Sequence, residues 1–391
     1  MRSRRMKLKR ILAVTACTVL MLSLCVGCGK NKADSSKGND DVKKVEKLSD
    51  AKLLGRTYRS DDGSLWLGLS GTGAEFEFTG DKLSVVLKGS AAEADNAARV
   101  GIFVDANRAS DVCLDAAEKT VDISGKGSTP VTVRIVKLSE CLSSCCEIVS
   151  VDTHGGSIKK TDDKQRRIEF IGDSITCGYG VDDADLSHGF STATEDCTKS
   201  YAYKTAQLLD ADHSLVSFSG YGVVSGYTPT GDRASDKLVM PYYDKYGFSE
   251  SGGFGTKKPS EIQWDFSRFK PDVIVVYLGT NDSSYTVYQQ GRDKEYTAEY
   301  IGLLKTVRSK NPDAKIICTL GTMGTLLVPA MHEAVSQYSA QTGDNNIATL
   351  DLPLQDTQKD GCVIQSHPSA VTYDKAASIL SDKIKSEMGW S

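Results

Sequence analysis

Four short polar stretches carry the residue types of nucleophilic catalysis. The first, Gly172-Asp173-Ser174-Ile175-Thr176-Cys177-Gly178, places a serine where a strand pattern (Ile168, Phe170, Ile171) gives way to small residues able to open a helix. A hydroxyl there is exposed, its own N–H is unpaired, and the helix dipole favours a nearby negative charge. A nucleophile that must also stabilise an oxyanion needs all three; a helix-capping serine is the plain alternative. Thr176 stands where the Gly-x-Ser-x-Gly elbow would have its second glycine, so that motif is absent. Ser219-Gly220-Tyr221-Gly222 offers a backbone N–H on a glycine, Gly279-Thr280-Asn281-Asp282 offers a side-chain amide, and Gln365-Ser366-His367-Pro368-Ser369 offers a histidine. Together they make Ser174 a nucleophile, Ser174, Gly220 and Asn281 oxyanion donors, and His367 a base. Taken singly, Gly220 reads as a turn, Asn281 as a cap and His367 as a surface residue.

These stretches matter only if the fold brings them to one edge. From Arg167 onward, strand-like runs (Ile168–Ile171, Leu215–Phe218, Val273–Leu278, Ile316–Leu320, Ile347–Leu350) alternate with helical ones (Tyr201–Leu209, Tyr296–Ser309, Met331–Thr342, Tyr373–Met388). That alternation predicts an α/β domain, a parallel sheet with helices on both faces. Ligands bind such sheets outside the carboxyl ends of the strands, where the first three stretches sit. A Gly- and Tyr-rich excursion, Tyr227–Ile262, exceeds the needs of a minimal fold. With Trp264 and Tyr285 it is expected to shape a substrate cleft, although packing is an equal reading for Trp264.

The region before this, Leu53–Thr153, is a series of short runs such as Leu65–Leu69, Ala74–Phe78, Leu83–Leu87, Val100–Val104, Val121–Ile123 and Val131–Val136, separated by Gly, Asp and Ser clusters. It predicts an all-β sandwich, with packing beside the second domain favoured over carbohydrate binding as its role. The polar segment Lys159–Arg167 reads as a bridge between the two.

The chain has 391 residues and a formal net charge of −4, but six basic and no acidic residues lie before Cys28, leaving −4 − 6 = −10 for the remainder. An acidic body argues against nucleic acid as a partner. Arg2 to Arg10 precede an apolar run, Ile11–Val26, with the flanks of an export signal. Residues 31–50 are polar and read as a flexible tether. Beyond Cys28 eight cysteines remain; Cys177 with Cys197, or Cys141 with Cys145 or Cys146, are possible disulfide pairs that spacing does not decide. No His/Cys set has zinc spacing, so neither a metal nor another cofactor is expected.

Gly-Asp-Ser, the following glycine block, Gly-Thr-Asn-Asp and the late His-Pro resemble the SGNH (GDSL-type) hydrolases. The two-domain layout is similar to carbohydrate esterase family 2. Three stretches carry the narrower likeness: residues 171–180, residues 264–272 and His367-Pro368-Ser369. The resemblance implies a three-layer, flavodoxin-like SGNH domain over residues 161–391, preceded by a jelly-roll sandwich over 51–160. It also implies removal of O-acetyl groups from polysaccharides such as xylan or mannan, with Ser174 as nucleophile, Gly220 and Asn281 completing the oxyanion hole and His367 as base. Leu24-Cys25-Val26-Gly27-Cys28 resembles a bacterial lipoprotein cleavage box. This implies a signal over 1–28, lipid on Cys28, a linker over 29–50, and a protein anchored on the extracytoplasmic face, touching the membrane only through that lipid.

One departure stands out. Such hydrolases usually carry an aspartate three residues before the histidine, and here that residue is Ile364; Ser366 replaces a frequent tryptophan. We expect a Ser–His dyad with a backbone carbonyl orienting the imidazole, Asp360 being the competing acceptor. Other acyl esterase, lipase or thioesterase activity, or a glycan-binding lipoprotein without catalysis, are the alternative readings.

Overall fold

The computed structural model describes residues 45–46, 48–91 and 93–391. The basic leader, the apolar run, Cys28 and most of the tether lie outside the described residues.

Alternating apolar and polar side chains build the first layer. Two long strands, Gly73–Gly89 and Glu118–Lys137, pair antiparallel along most of their length. Their register shifts at Gly80, beside Gly125, where a Cβ would lie 2.0 Å from the Gly80 carbonyl oxygen. Glycine at 125 is what permits the two backbones to approach there. On one side of the shift Gly73–Gly89 also pairs with Lys52–Leu54 and Ser157–Lys160, and on the other with Cys146–Asp152. Phe76, Phe78, Val85, Val100, Ile135 and Ile148 form a core within this β domain. The polar bridge begins inside this sandwich, since Ser157–Lys160 is a strand.

The second layer is a five-stranded, all-parallel sheet in the order 211–217, 166–172, 273–277, 315–322, 347–354. The chain reverses direction across the sheet at strand Arg166–Gly172, the switch point of this topology. Gly172 is level with Ser217 on one neighbour and with Tyr277 on the other. Three strands therefore end at one height, and the loops after them open on a common crevice.

Helices cover both faces. Tyr201–Leu208 packs against Ala370–Met388 on one side, and Arg292–Lys310 against Val328–Thr342 on the other. The last helix starts at Ser369, whose hydroxyl accepts from the Thr372 N–H, and ends at Gly389 in the left-handed region. Between these caps Tyr373, Ala376, Ala377, Leu380 and Ile384 form the buried stripe.

Residues Lys43–Ser391 form one compact unit. Arg56, from the sandwich end of the chain, is fully buried in the α/β layer. Its guanidinium meets Glu169 at 3.2 Å and the Lys245 carbonyl at 3.0 Å, under the rings of Tyr243, Trp264 and Phe266. Glu169 is completed by the Tyr243 and Ser214 hydroxyls at 2.9 and 3.1 Å.

Candidate active site

Ser174 opens a single helical turn, Ser174–Cys177. Asp173 caps it by accepting from the Ile175 N–H at 3.0 Å, and Gly178 ends it at φ 78°. Gly172 admits the tight entry, because a Cβ there would lie 2.1 Å from the Thr176 hydroxyl. The Ser174 hydroxyl is thereby held at the end of its strand.

His367 arrives from the other end of the domain. Its Nε2 lies 2.8 Å from Ser174 Oγ, and its Nδ1 lies 3.3 Å from the Ile364 carbonyl oxygen. With Nδ1–H donating to a carbonyl, Nε2 is the free acceptor for the serine proton. Two short antiparallel strands, Cys362–Val363 and His367–Pro368, joined through residues 364–366, close the loop. Gln365 and Ser366 both adopt positive φ, 52° and 61°. That costs about 1–3 kcal/mol at each residue, and it turns the main chain so that a carbonyl faces the imidazole. Asp360 is engaged elsewhere: its carboxylate takes the Lys375 ammonium at 2.6 and 2.7 Å.

Burial pushes the His367 imidazole down to about 4, so it is neutral near pH 7. Its ring stacks on Tyr179, with centroids 4.4 Å apart, and Tyr179 stacks on Phe190 at 4.1 Å.

Gly220, at φ 78°, follows its strand and lines the same crevice as Ser174, Asn281 and His367. Asn281 gives one amide hydrogen to the Tyr221 carbonyl at 2.8 Å, while its nitrogen stands 3.3 Å from Asp173 Oδ2. Behind it, the Asp282 carboxylate collects the N–H groups of Val223, Val224 and Ser225. Burial nonetheless raises Asp282 to about 6 and Asp173, aided by the Asp282 charge, to about 7.

The crevice encloses about 960 Å³. Leu142, Tyr179, Phe190, Tyr227 and Met323 supply its apolar wall, and Glu140 and Glu250 are its charged residues; among the described residues no Lys or Arg lines it. Asn96, Glu140, Leu142 and Ser143 come from the sandwich side of the chain.

Residues 170–374 match the GDSL-like Lipase/Acylhydrolase family, and residues 53–161 match the Carbohydrate esterase 2 N-terminal domain. The chain belongs to the GDSL-like Lipase/Acylhydrolase family. Among its relatives is "Cellulase/esterase CelE" of Acetivibrio thermocellus, 30% identical over 86% of this chain and 39% of that protein. The present chain thus spans well under half of that relative. "Acetylxylan esterase / glucomannan deacetylase" of Cellvibrio japonicus is 24% identical over 86% of this chain and 89% of its own length. A solved family two carbohydrate esterase from Clostridium thermocellum, in complex with cellohexaose, superposes with a TM-score of 0.76. It is 27% identical, over 87% of this chain and all of that one.

Two residues expected to shape the cleft, Trp264 and Tyr285, are not among those lining the crevice. Trp264 is held between the Arg56 and Arg268 guanidinium groups, 5.3 and 4.8 Å from its ring. Tyr285 carries the Arg292 guanidinium over its ring at 4.0 Å and donates to Glu295. Neither lines the crevice. The long excursion contributes Tyr227, Glu250 and Ser251 instead. Of the possible disulfide pairs, Cys141 and Cys145 have sulfurs 3.7 Å apart, whereas Cys177 contacts Ser217 and Cys197 the Lys137 carbonyl.

Proposed function

We propose that this protein is a serine esterase that removes O-acetyl groups from neutral polysaccharides or oligosaccharides such as xylan or mannan. The observation that carries the reading is the 2.8 Å contact between Ser174 Oγ and His367 Nε2 in a crevice that also holds Gly220 and Asn281. The family and the activities its relatives are named for support the ester chemistry. An aromatic wall suits sugar rings, and a lining without Lys or Arg suits an uncharged ester.

In this mechanism neutral His367 takes the Ser174 proton as Oγ attacks the acetyl carbonyl. The oxyanion is held by the Ser174 and Gly220 N–H groups and by the Asn281 amide, whose second hydrogen moves off Asp173 to meet it. The imidazolium then protonates the departing sugar oxygen. Water, deprotonated by the same imidazole, attacks the acetyl-serine and releases acetate. Throughout, the Ile364 carbonyl keeps Nδ1 protonated, so the residue works as a dyad.

We also propose that the chain is exported, cleaved before Cys28 and anchored by lipid on that cysteine, on the extracytoplasmic face of a bacterial membrane. The sequence alone supports this part. Partition of the mature protein into the detergent phase, lost in Cys28→Ala, is expected; partition unchanged by that substitution contradicts it.

Acetate release from acetylated xylan and glucomannan, set against fatty-acid release from acylated lipids, tests the activity. Turnover of the glycans is expected, and turnover of the lipids alone contradicts the proposal.

A further inference from the structure

Glu140 lies on the segment that leaves the sandwich after strand Glu118–Lys137, far in sequence from any residue of the proposed mechanism. It is buried, yet it borders the crevice. Its Oε2 accepts the Ser219 N–H at 2.9 Å. Ser219 directly precedes Gly220, whose amide is the oxyanion donor of this loop. Asp282 holds the far end of the same loop through Val223, Val224 and Ser225. Two carboxylates, one from each domain, thus grip the segment on either side of the donor.

The grip from the sandwich side is itself supported. The Glu140 N–H donates to Glu195 Oε2 at 2.7 Å, and the Lys137 ammonium donates to the carbonyl oxygens of Ser139 and Glu140 at 2.6 and 2.8 Å. The Glu195 Oε1 atom is buried without a hydrogen-bond partner. The Cys177 sulfur and one oxygen from each glutamate lie within 4.8 Å of one another. Two buried carboxyls beside one ammonium are neutral together when one of them keeps its proton. Burial raises both, and the Ser219 N–H at 2.9 Å favours negative charge on the Glu140 oxygen it meets.

We propose that Glu140 is a positioning residue of the oxyanion hole: its carboxylate fixes the Ser219 peptide and so presents the Gly220 N–H to the reacting carbonyl. The sandwich domain on this view completes the active site and is more than packing. The inference rests on the esterase reading for its kinetic consequence, but the bond it names is measurable without substrate.

Two variants separate acceptor from volume. Glu140→Gln keeps an oxygen able to accept from Ser219, whereas Glu140→Met fills similar space with none. Hydrogen exchange over residues 218–222 should rise in E140M and stay near wild type in E140Q. On an acetylated xylo-oligosaccharide, kcat should fall about 10- to 100-fold in E140M with KM changed less than about threefold, as for a displaced donor. In E140Q, kcat should stay within about fivefold of wild type. Unchanged exchange in E140M overturns the bond, and faster exchange with kcat within about twofold overturns its role. Melting curves identify an unfolded E140M, in which case E140Q alone decides: a loss beyond about 100-fold overturns the inference. A wild type that hydrolyses no ester, with the exchange pattern as expected, fails the esterase reading and removes the role while leaving the bond.

Discussion

His367 Nδ1 stands 3.3 Å from the carbonyl oxygen of Ile364, the residue three before it, whose side chain offers no acceptor. The main chain of residue 364 takes over the acceptor that its own side chain lacks. A carbonyl fixes the tautomer and the ring plane but brings only a partial charge to the imidazolium, so moderate turnover is expected. Asp360, bound to Lys375, is a bystander. Asp360→Asn should therefore lower kcat less than about tenfold, whereas a carboxylate that orients the imidazole is worth up to about 10⁴. A thousandfold fall with KM and folding unaltered would restore a full triad.

Burial with a neutral partner sets the direction of the His367 titration. The imidazolium is disfavoured, so the neutral base persists down to about pH 4 and is lost as pH falls further. Histidine-labelled NMR, with the resonance assigned by its loss in His367→Gln, should give a midpoint well below the ordinary value of about 6.5. A midpoint at or above 6.5 would mean a buried negative charge stabilises the ring.

Asn281→Ala removes one donor from the oxyanion hole. We expect kcat to fall by roughly 10²–10³ with little change in KM, because the amide is used mainly in the transition state. A rise in KM alone would make Asn281 a ground-state sugar contact.

Much of the site was legible because its parts follow strands directly. Ser174, Gly220 and Asn281 each stand within four residues of a strand end, and the pairing of Gly172 with Ser217 and Tyr277 brings those ends level. The residue before Pro368 was legible as a loop histidine by composition. Glu140 was not, since nothing local marks a glutamate whose partner lies 79 residues on in another domain. For Trp264 the sequence left cleft and packing as equal readings, and the structure packs it between the Arg56 and Arg268 guanidinium groups, partners far apart in the chain. Strand Ser157–Lys160 escaped because its side chains are mostly exposed and leave no apolar alternation to read.

The Arg56–Glu169 pair ties the sandwich to the α/β layer and should be costly to break on one side. Arg56→Met leaves Glu169 buried without its cation, for a loss of about 3–5 kcal/mol in urea unfolding. Adding Glu169→Gln should recover part of that loss. A single variant within 1 kcal/mol of wild type, at the low end of roughly 1–3 kcal/mol seen for an unpaired buried polar group, would show that Tyr243 and Ser214 suffice.

The account turns on Ser174 as the attacking group. Acetate release from acetylated xylan by purified Ser174→Ala, with its circular dichroism and melting temperature matching wild type, tests this most directly. We expect the rate to fall by on the order of 10⁴-fold or more. A folded Ser174→Ala protein that releases acetate at the wild-type rate would remove Ser174 from the mechanism and contradict the account.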